Sequence, residues 1–441
     1  MSDATPPANR SALGIVFLVV VIDLLGFGIV LPLLPLFATT YVETVLPGQG
    51  QSGAGGAIVG LLMASFSAMQ FVFAPVWGRV SDRVGRRPIL LLGLAGSVVF
   101  YTLFGYASDL PAAEAAEAKL ALALLFVARI GAGIAGATIA TPQAVIADCT
   151  PPERRKQGMA LIGFAFGIGF TFGPLVGFAA LYFFPAHKGA IGVLAALLSL
   201  VALVLCLALM PETRNFTAAP SLERKWLNLG ATRAALTNPA IGPVVLTFFL
   251  ASLGFASFEV TLSLLNRDAL GLQADYNFLV FTYVGFVLGL TQGFLYKRVA
   301  RTLDEPSLMA IGITLMGLGV LALGGVTWAA ERQMAGFPVL LAMQLSSLTI
   351  AVVGFAFLTP SAQALISRRS DPSRQGEVLG VNQSASALAR ILGPIFGLTL
   401  YSAHPTHLLP YVAGAALVLL MLPLIPRIRR AENTPTVREV S

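Results

Sequence analysis

The sequence predicts an all-α membrane protein, with twelve transmembrane helices arranged as two pseudo-symmetric six-helix bundles. Three observations carry this prediction. Of the 441 residues, 56% are hydrophobic and 11% charged, whereas an average soluble domain is roughly 25% charged. The apolar residues gather in twelve runs, each close to the roughly 20 residues that cross a bilayer as a helix. The basic residues crowd every second loop. A hydrocarbon core offers the backbone no water, so runs of this length are helices and not isolated strands.

Taken in order, the first run (12–40) contains Asp23 in Asp23-x-x-Gly26-x-Gly28-x-x-x-Pro32-x-x-Pro35, and is too long for a cleaved signal peptide. The second (57–77) carries Gln70 and leads into a charged turn, Gly78 to Pro88. The third (89–107) is apolar throughout. The fourth (120–147) contains Arg129 and stops at Asp148. The fifth (158–184) repeats glycine at Gly163, Gly167, Gly169, Gly173-Pro174 and Gly177, and the sixth is 190–210. Residues 1–210 thus form an N-terminal bundle, and a polar segment, 211–239, reads as a cytoplasmic linker. The second bundle (240–426) holds runs at 240–265 (with Glu259), 277–296, 307–329, 338–366, 378–402 (with Arg390) and 408–426, followed by a tail, 427–441. An internal repeat supports the division. Thr141-Pro142, Gly158 and Gly173-Pro174 recur at a nearly constant offset as Thr359-Pro360, Gly376 and Gly393-Pro394. Parallel six-plus-six repeats with a site near the midplane are a common transporter plan.

The net charge of +7 is topological in origin. Arg79, Arg83, Arg86, Arg87, Arg154, Arg155, Lys156, Lys297, Arg298, Arg301, Arg368, Arg369 and the arginines of the tail fall on one side; only Lys119, Lys188, Arg267 and Arg332 fall on the other. The positive-inside rule places both termini in the cytoplasm, and the expected location is the inner or plasma membrane of the cell. Basic residues dispersed this way do not form a nucleic-acid surface. Cys149 and Cys206 are expected as free thiols.

The sharpest motif is Gly78-x-x-Ser81-Asp82-Arg83-x-Gly85-Arg86-Arg87-Pro88, preceded by Phe73-Ala74-Pro75. With Arg129-x-Gly131-x-Gly133 and Gly169-x-x-x-Gly173-Pro174-x-x-Gly177, it resembles the drug:proton antiporter branch of the major facilitator superfamily, specifically tetracycline-resistance exporters. The resemblance is strong over residues 15–210. It implies that Gly78, Asp82, Arg83, Gly85, Arg86, Arg87 and Asp148 form a conformational latch holding the two halves together on the inside. It also implies that Arg129 serves proton coupling and that the fifth-span glycines mark exporters. Two departures stand out. The family's third-span acid is replaced by Phe100, and its later histidine and acid fall where this chain is neutral around Leu288 and Met316.

Physical reading of the same residues is broader. Asp82 and Arg86 are spaced to pair along one helical turn. Gly169, Gly173 and Gly177 let helices approach closely, and Pro174 removes a backbone donor, so a pure packing role also fits. Gly131-Ala132-Gly133-Ile134-Ala135-Gly136 mimics a dinucleotide loop, but it lies inside an apolar helix with no preceding strand. An ionised side chain mid-membrane costs about 2.5–3.5 kcal/mol on insertion scales, so Asp23, Arg129, Glu259 and Arg390 are the candidate proton-coupling groups. A structural ion pair is the alternative. At 1.5 Å per residue, Asp23 and Arg129 each lie roughly 16 Å from a span end and are expected to meet near the midplane. Glu259, with Arg390 as possible partner, reads as a second protonation site or an outer gate. Candidate cavity groups are Gln70, Gln143, Phe164, Phe255, Gln292, Gln344, Asn382 and Gln383. His404-x-x-His407 lacks further ligands, so no metal site is expected.

The function so predicted is proton-coupled export of small hydrophobic or amphipathic compounds by alternating access. There is no enzyme chemistry, no cofactor beyond the proton gradient, and no P-loop for ATP. The expected partners are the substrate, protons and lipid; the expected state is a monomer. The alternative is a uniporter or symporter for a dedicated metabolite such as a sugar, organic acid or siderophore.

Overall fold

A computed structural model of the chain describes residues 10–49, 52–150, 155–214, 229–370 and 375–430. The described residues are helical apart from short turns and caps, with no strand among them. The N-terminal half comprises α1 (Arg10–Val30), α2 (Leu34–Val45), α3 (Gly53–Val84), α4 (Arg86–Asp109), α5 (Ala115–Gly136), α6 (Ala140–Cys149), α7 (Arg155–Phe183) and α8 (Ala190–Leu209). After these come α9 (Leu229–Thr237), α10 (Gly242–Leu270), α11 (Ala274–Leu290), α12 (Tyr296–Val299), α13 (Glu305–Glu331), α14 (Phe337–Arg369), α15 (Gln375–Ser402), α16 (Leu409–Leu419) and α17 (Ile425–Arg430). Eleven helices of the described residues are long and apolar enough to cross a membrane. The fifth predicted run is α7, in which Gly167–Phe183 form an apolar stretch among the described residues.

Four predicted runs are interrupted; the twelfth breaks into α16 and α17 about a 3₁₀ turn, Leu422–Leu424, that contains Pro423. Pro32 has no N–H to continue α1, so the chain turns over Leu31–Leu33 and restarts as α2. A 3₁₀ turn, Ala137–Ile139, joins α5 to α6 just before Pro142. A π-turn, Thr291–Leu295, joins α11 to α12, widening the helix by one residue. The linker region contributes α9, which the sequence reading treats as part of a polar connection.

The chain condenses into two compact units that do not follow the sequence halves throughout. Unit 1 is Met1–Gly50, Leu61–Trp226 and Gln273–Gly285; unit 2 is Gln51–Gly60, Leu227–Leu272 and Phe286–Ser441. Each unit therefore takes one segment from the other half. Within unit 1, the start of α11 packs on α1 and α7: Asn277 Nδ2 donates to Pro32 O at 2.8 Å, and Phe278 lies over Gly177. Within unit 2, the start of α3 packs on α15, where a Cβ on Gly60 would stand 2.6 Å from Ile395 Cα.

The internal repeat is a packing device. In unit 1, a Cβ on Gly173 would stand 2.9 Å from Gly28 Cα, so α1 and α7 cross backbone to backbone. In unit 2, a Cβ on Gly393 would stand 2.6 Å from the Ala256 Cβ, and Gly397 meets Ser257, giving the same crossing of α10 and α15. In lipid, where apolar burial gives helices no preference for one another, such close approach supplies the association energy through dispersion. Gly169 joins the unit 1 crossing against Leu24, and Pro174 lies within α7 beside Gly28.

Candidate functional site

Unit 1 holds one acid and one arginine inside its spans. Asp23 projects from α1 between the buried Ile22 and Leu24. It borders a water-sized cleft of about 10 Å³ with Val20, Leu90, Gly93, Thr138 and Pro142. Arg129 on α5 is 3% exposed, and its guanidinium lies 4.4 Å from the centre of the Phe66 ring. The buried Nε of Arg129 has no hydrogen-bond partner. The aromatic face supplies a cation–π contact in place of a carboxylate. Among the described residues no ion pair joins Asp23 to Arg129. Tyr101 on α4, buried and within electrostatic reach of both, bridges their surroundings. Its ring closes over Gly26, one turn from Asp23, where a Cβ would stand 3.0 Å away. The neighbouring Phe100 fills the hollow left by Gly131, so the ring standing at the family's third-span acid position is a packing residue against α5.

Unit 2 repeats the composition on different helices. Between Ala251 and Asn266, every residue of α10 is buried except Glu259. Arg390 on α15 lies in electrostatic reach of Glu259, yet its Nη1 donates at 3.2 Å to Ser386 Oγ on its own helix. No ion pair between Glu259 and Arg390 is present among the described residues.

The charged turn is densely hydrogen-bonded, with Arg87 Nε left as a buried donor without a partner. Arg86, 5% exposed, places Nη1 2.6 Å from Asp82 and 2.7 Å from Ser81 Oγ, while Nε reaches Asp148 at 3.1 Å. The Asp82–Arg86 pair forms across a break between α3 and α4, not along one helical turn. Gly85 makes the break, with φ 112° and ψ 160°. The turn opens the N-terminus of α4, and Glu212 occupies it: its carboxylate accepts from Arg86 N at 2.8 Å and Arg87 N at 3.1 Å. A side chain at Gly85 would collide with that carboxylate. Arg214 Nε donates to Asp82 O at 3.1 Å, and Arg87 Nη2 donates to Leu207 O at 2.6 Å. Arg79 and Arg83 are exposed. The eleventh predicted span (378–402) falls within α15, and residues 371–374 before that helix lie outside the described residues.

The Major Facilitator Superfamily profile matches residues 16–341 and 279–440. The chain belongs to the Major Facilitator Superfamily. It is a multi-pass membrane transporter of small molecules and not an enzyme. It is 29% identical to the class E tetracycline resistance protein of Escherichia coli, over 90% of this chain and 89% of that one. The human organic anion transporter MFSD10 (TETRAN) superposes with a TM-score of 0.63 at 26% identity, over 96% of this chain and 100% of that one. A D-xylose–proton symporter superposes with a TM-score of 0.74 at 16% identity, over 95% and 97% of the two chains, and attests the fold.

The candidate cavity residues named from the sequence fall into two groups. Gln70, half-buried, donates to Gly136 O at 3.4 Å; Gln292 and Gln383 are exposed, as is Phe164, which stacks on Phe17 at 5.9 Å. Phe255, Gln344 and Asn382 are enclosed within unit 2 and face no open space. Phe255 stacks on Phe355 at 4.0 Å, and Gln344 Nε2 donates to Asn266 Oδ1. The side chain of Gln143 lies outside the described residues. Sequence reading passed over Tyr101, Phe66 and Glu212. Tyr101 and Phe66 look like ordinary core aromatics, while Glu212 carried a usable signal: a lone acid directly after Pro211, where an apolar run ends beside a basic turn.

Proposed function

We propose that this transporter exports small hydrophobic or amphipathic compounds in exchange for protons, by alternating access, with Asp23, Arg129, Glu259 and Arg390 as the coupling groups. One observation carries the proposal: each unit keeps an acid and an arginine inside apolar spans with no ion pair between them among the described residues, Glu259 in electrostatic reach of Arg390, and Asp23 and Arg129 each in reach of Tyr101. A charge in such a place costs about 2.5–3.5 kcal/mol, and a closed ion pair would be the cheapest way to hold it. Leaving the pair open keeps the acid free to take a proton and the arginine free to respond. Similarity to tetracycline resistance proteins over most of both chains supports export and an amphipathic cargo. The cluster of Asp82, Arg86 and Asp148 acts in the same cycle as a latch that closes in one state. The transporter works as a monomer in the inner or plasma membrane, with both termini cytoplasmic and the proton gradient in place of a cofactor.

The test is expression in an efflux-deficient bacterium, with a susceptibility screen run with and without an uncoupler, followed by proteoliposome flux. The expected result is reduced susceptibility to amphipathic compounds, abolished by the uncoupler and by Asp23→Asn or Glu259→Gln. Susceptibility equal to empty vector, or full coupling in both variants, overturns the reading.

A second reading has its own support. The structural match to an organic anion transporter, with Arg390 exposed in a span, favours a dedicated organic acid carried by uniport or symport. Uptake that persists after the gradient is collapsed would select it.

A further inference from the structure

We propose that unit 1 binds the headgroup of an ethanolamine phospholipid in a pocket at the membrane surface, remote in sequence from the coupling residues. The pocket measures about 180 Å³ and is lined by the end of α2 (Phe37, Thr40, Tyr41), the end of α4 with the loop after it (Ser108 to Ala112), and Ala186 and Lys188 of the α7–α8 turn. Three helices leave the bilayer here, so the pocket stands at headgroup depth. Under the positive-inside assignment this is the outer leaflet.

The polar groups in the pocket are of opposite sign. Lys188 Nζ lies 5.3 Å from the centre of the Phe37 ring and makes no ion pair among the described residues. Asp109 lines the pocket and uses Oδ1 to accept from Gly189 N at 2.8 Å, while its Oδ2 stands 3.9 Å from His187 Nδ1. The Tyr41 hydroxyl is committed to Leu110 O at 2.8 Å and holds the wall in place. A free ammonium and a half-used carboxylate in one cavity fit a zwitterion: phosphate on Lys188, ammonium on Asp109. Ethanolamine fits better than choline. A quaternary ammonium has no N–H for a carboxylate and is normally held by several aromatic faces. The one ring lining the pocket besides Tyr41 is Phe37, already covered by Lys188.

A second observation points to lipid as the source of that headgroup. The end of α7 and the residue after it expose Tyr182 (62%), Phe183 (72%) and Phe184 (57%), two residues before Ala186, and α4 exposes Tyr106 one turn before the pocket. Exposed aromatics at a helix end mark the membrane–water boundary, and here they offer the acyl chains a path along the protein.

The experiment is native mass spectrometry of the full chain titrated with phosphatidylethanolamine or phosphatidylcholine of identical chains, with glycerophosphoethanolamine as a soluble competitor. The wild type is expected to retain the ethanolamine lipid about five-fold better than the choline lipid, as one exposed charge contact allows. Asp109→Asn keeps an oxygen for Gly189 N and removes the charge; it is expected to abolish the preference while keeping lipid binding. Lys188→Met is expected to weaken both lipids. A thermal-unfolding trace for each variant identifies loss of fold, and Lys188→Gln then replaces a variant that fails. Competition by glycerophosphoethanolamine supports a headgroup site; its failure overturns one. Equal retention of the two lipids by the wild type, or an ethanolamine preference that survives both substitutions, also overturns the proposal.

Discussion

Substituting Gly85 with alanine tests the account of the charged turn most directly. Its φ of 112° with ψ of 160° lies in a region that residues with a Cβ essentially never occupy, at a cost of about 1–3 kcal/mol. The added methyl also collides with the Glu212 carboxylate and pushes it off Arg86 N and Arg87 N. Loss of a helix cap adds about 0.5–2 kcal/mol. Gly85→Ala should therefore destabilise by roughly 2–5 kcal/mol, a fall of about 5–15 °C in Tm for a unit of this size. Glu212→Ala alone should lose only the cap, about 0.5–2 kcal/mol. In the Glu212→Ala background there is no carboxylate left to displace, so Gly85→Ala should cost only the backbone term, about 1–3 kcal/mol. The two substitutions are thus coupled by the cap energy, as a double-mutant cycle measures. A thiol-reactive dye provides the assay, because Cys206 is fully buried on α8, whose carbonyl at Leu207 is tied to the same turn. An equal cost of Gly85→Ala in both backgrounds would refute the steric link between Gly85 and Glu212.

Three further predictions follow from the same geometry. Arg86→Lys should lower Tm by an amount corresponding to about 1–3 kcal/mol, because one ammonium cannot serve Asp82, Asp148 and Ser81 in the directions the guanidinium does; an unchanged Tm would contradict this. Asp304 caps α13 by accepting from Ser307 N at 3.2 Å, and hydrogen bonding from the Ser307 side chain, helped by that backbone N–H, holds its carboxyl below the usual aspartate value. A carboxyl lowered in the folded state stabilises above its unfolded pKa, and that stability is lost as pH falls through the folded value. Asp304→Ala should therefore lose about 1 kcal/mol at pH 7, and the difference should fade on acidification below about pH 4, as read from melting curves. Gly28→Val forces α1 off the backbone of α7 and should collapse the folded yield in size-exclusion chromatography, whereas Gly14→Val, with nothing within 4 Å, should be tolerated.

The two units solve the same capping problem differently, which shows where sequence reading reaches its end. Asp304 is the local N-cap of α13 with Ser307 three residues on, a pattern written in adjacent letters. Glu212 performs the equivalent service for α4 from the far end of α8, and nothing near Gly85 names it. The Asp82–Arg86 spacing correctly suggested a pair, but a helical turn was the wrong geometry, because the chain breaks at Gly85. Asp23 and Arg129 stood out as costly charges in apolar runs; the buried Tyr101 in electrostatic reach of both did not, since a tyrosine in a span has no such cost to betray it.

By itself the sequence determined the all-α membrane fold, the repeat and the identity of the intramembrane charges. These depend on local quantities: the length of an apolar run, the price of an ion in hydrocarbon, the glycine that permits a close crossing. Only the tertiary structure decided which half contributes a segment to which unit, which glutamate caps which helix, and whether an acid and an arginine close into a pair. Those outcomes depend on distances between residues far apart in the chain, which side-chain packing sets and local composition does not record.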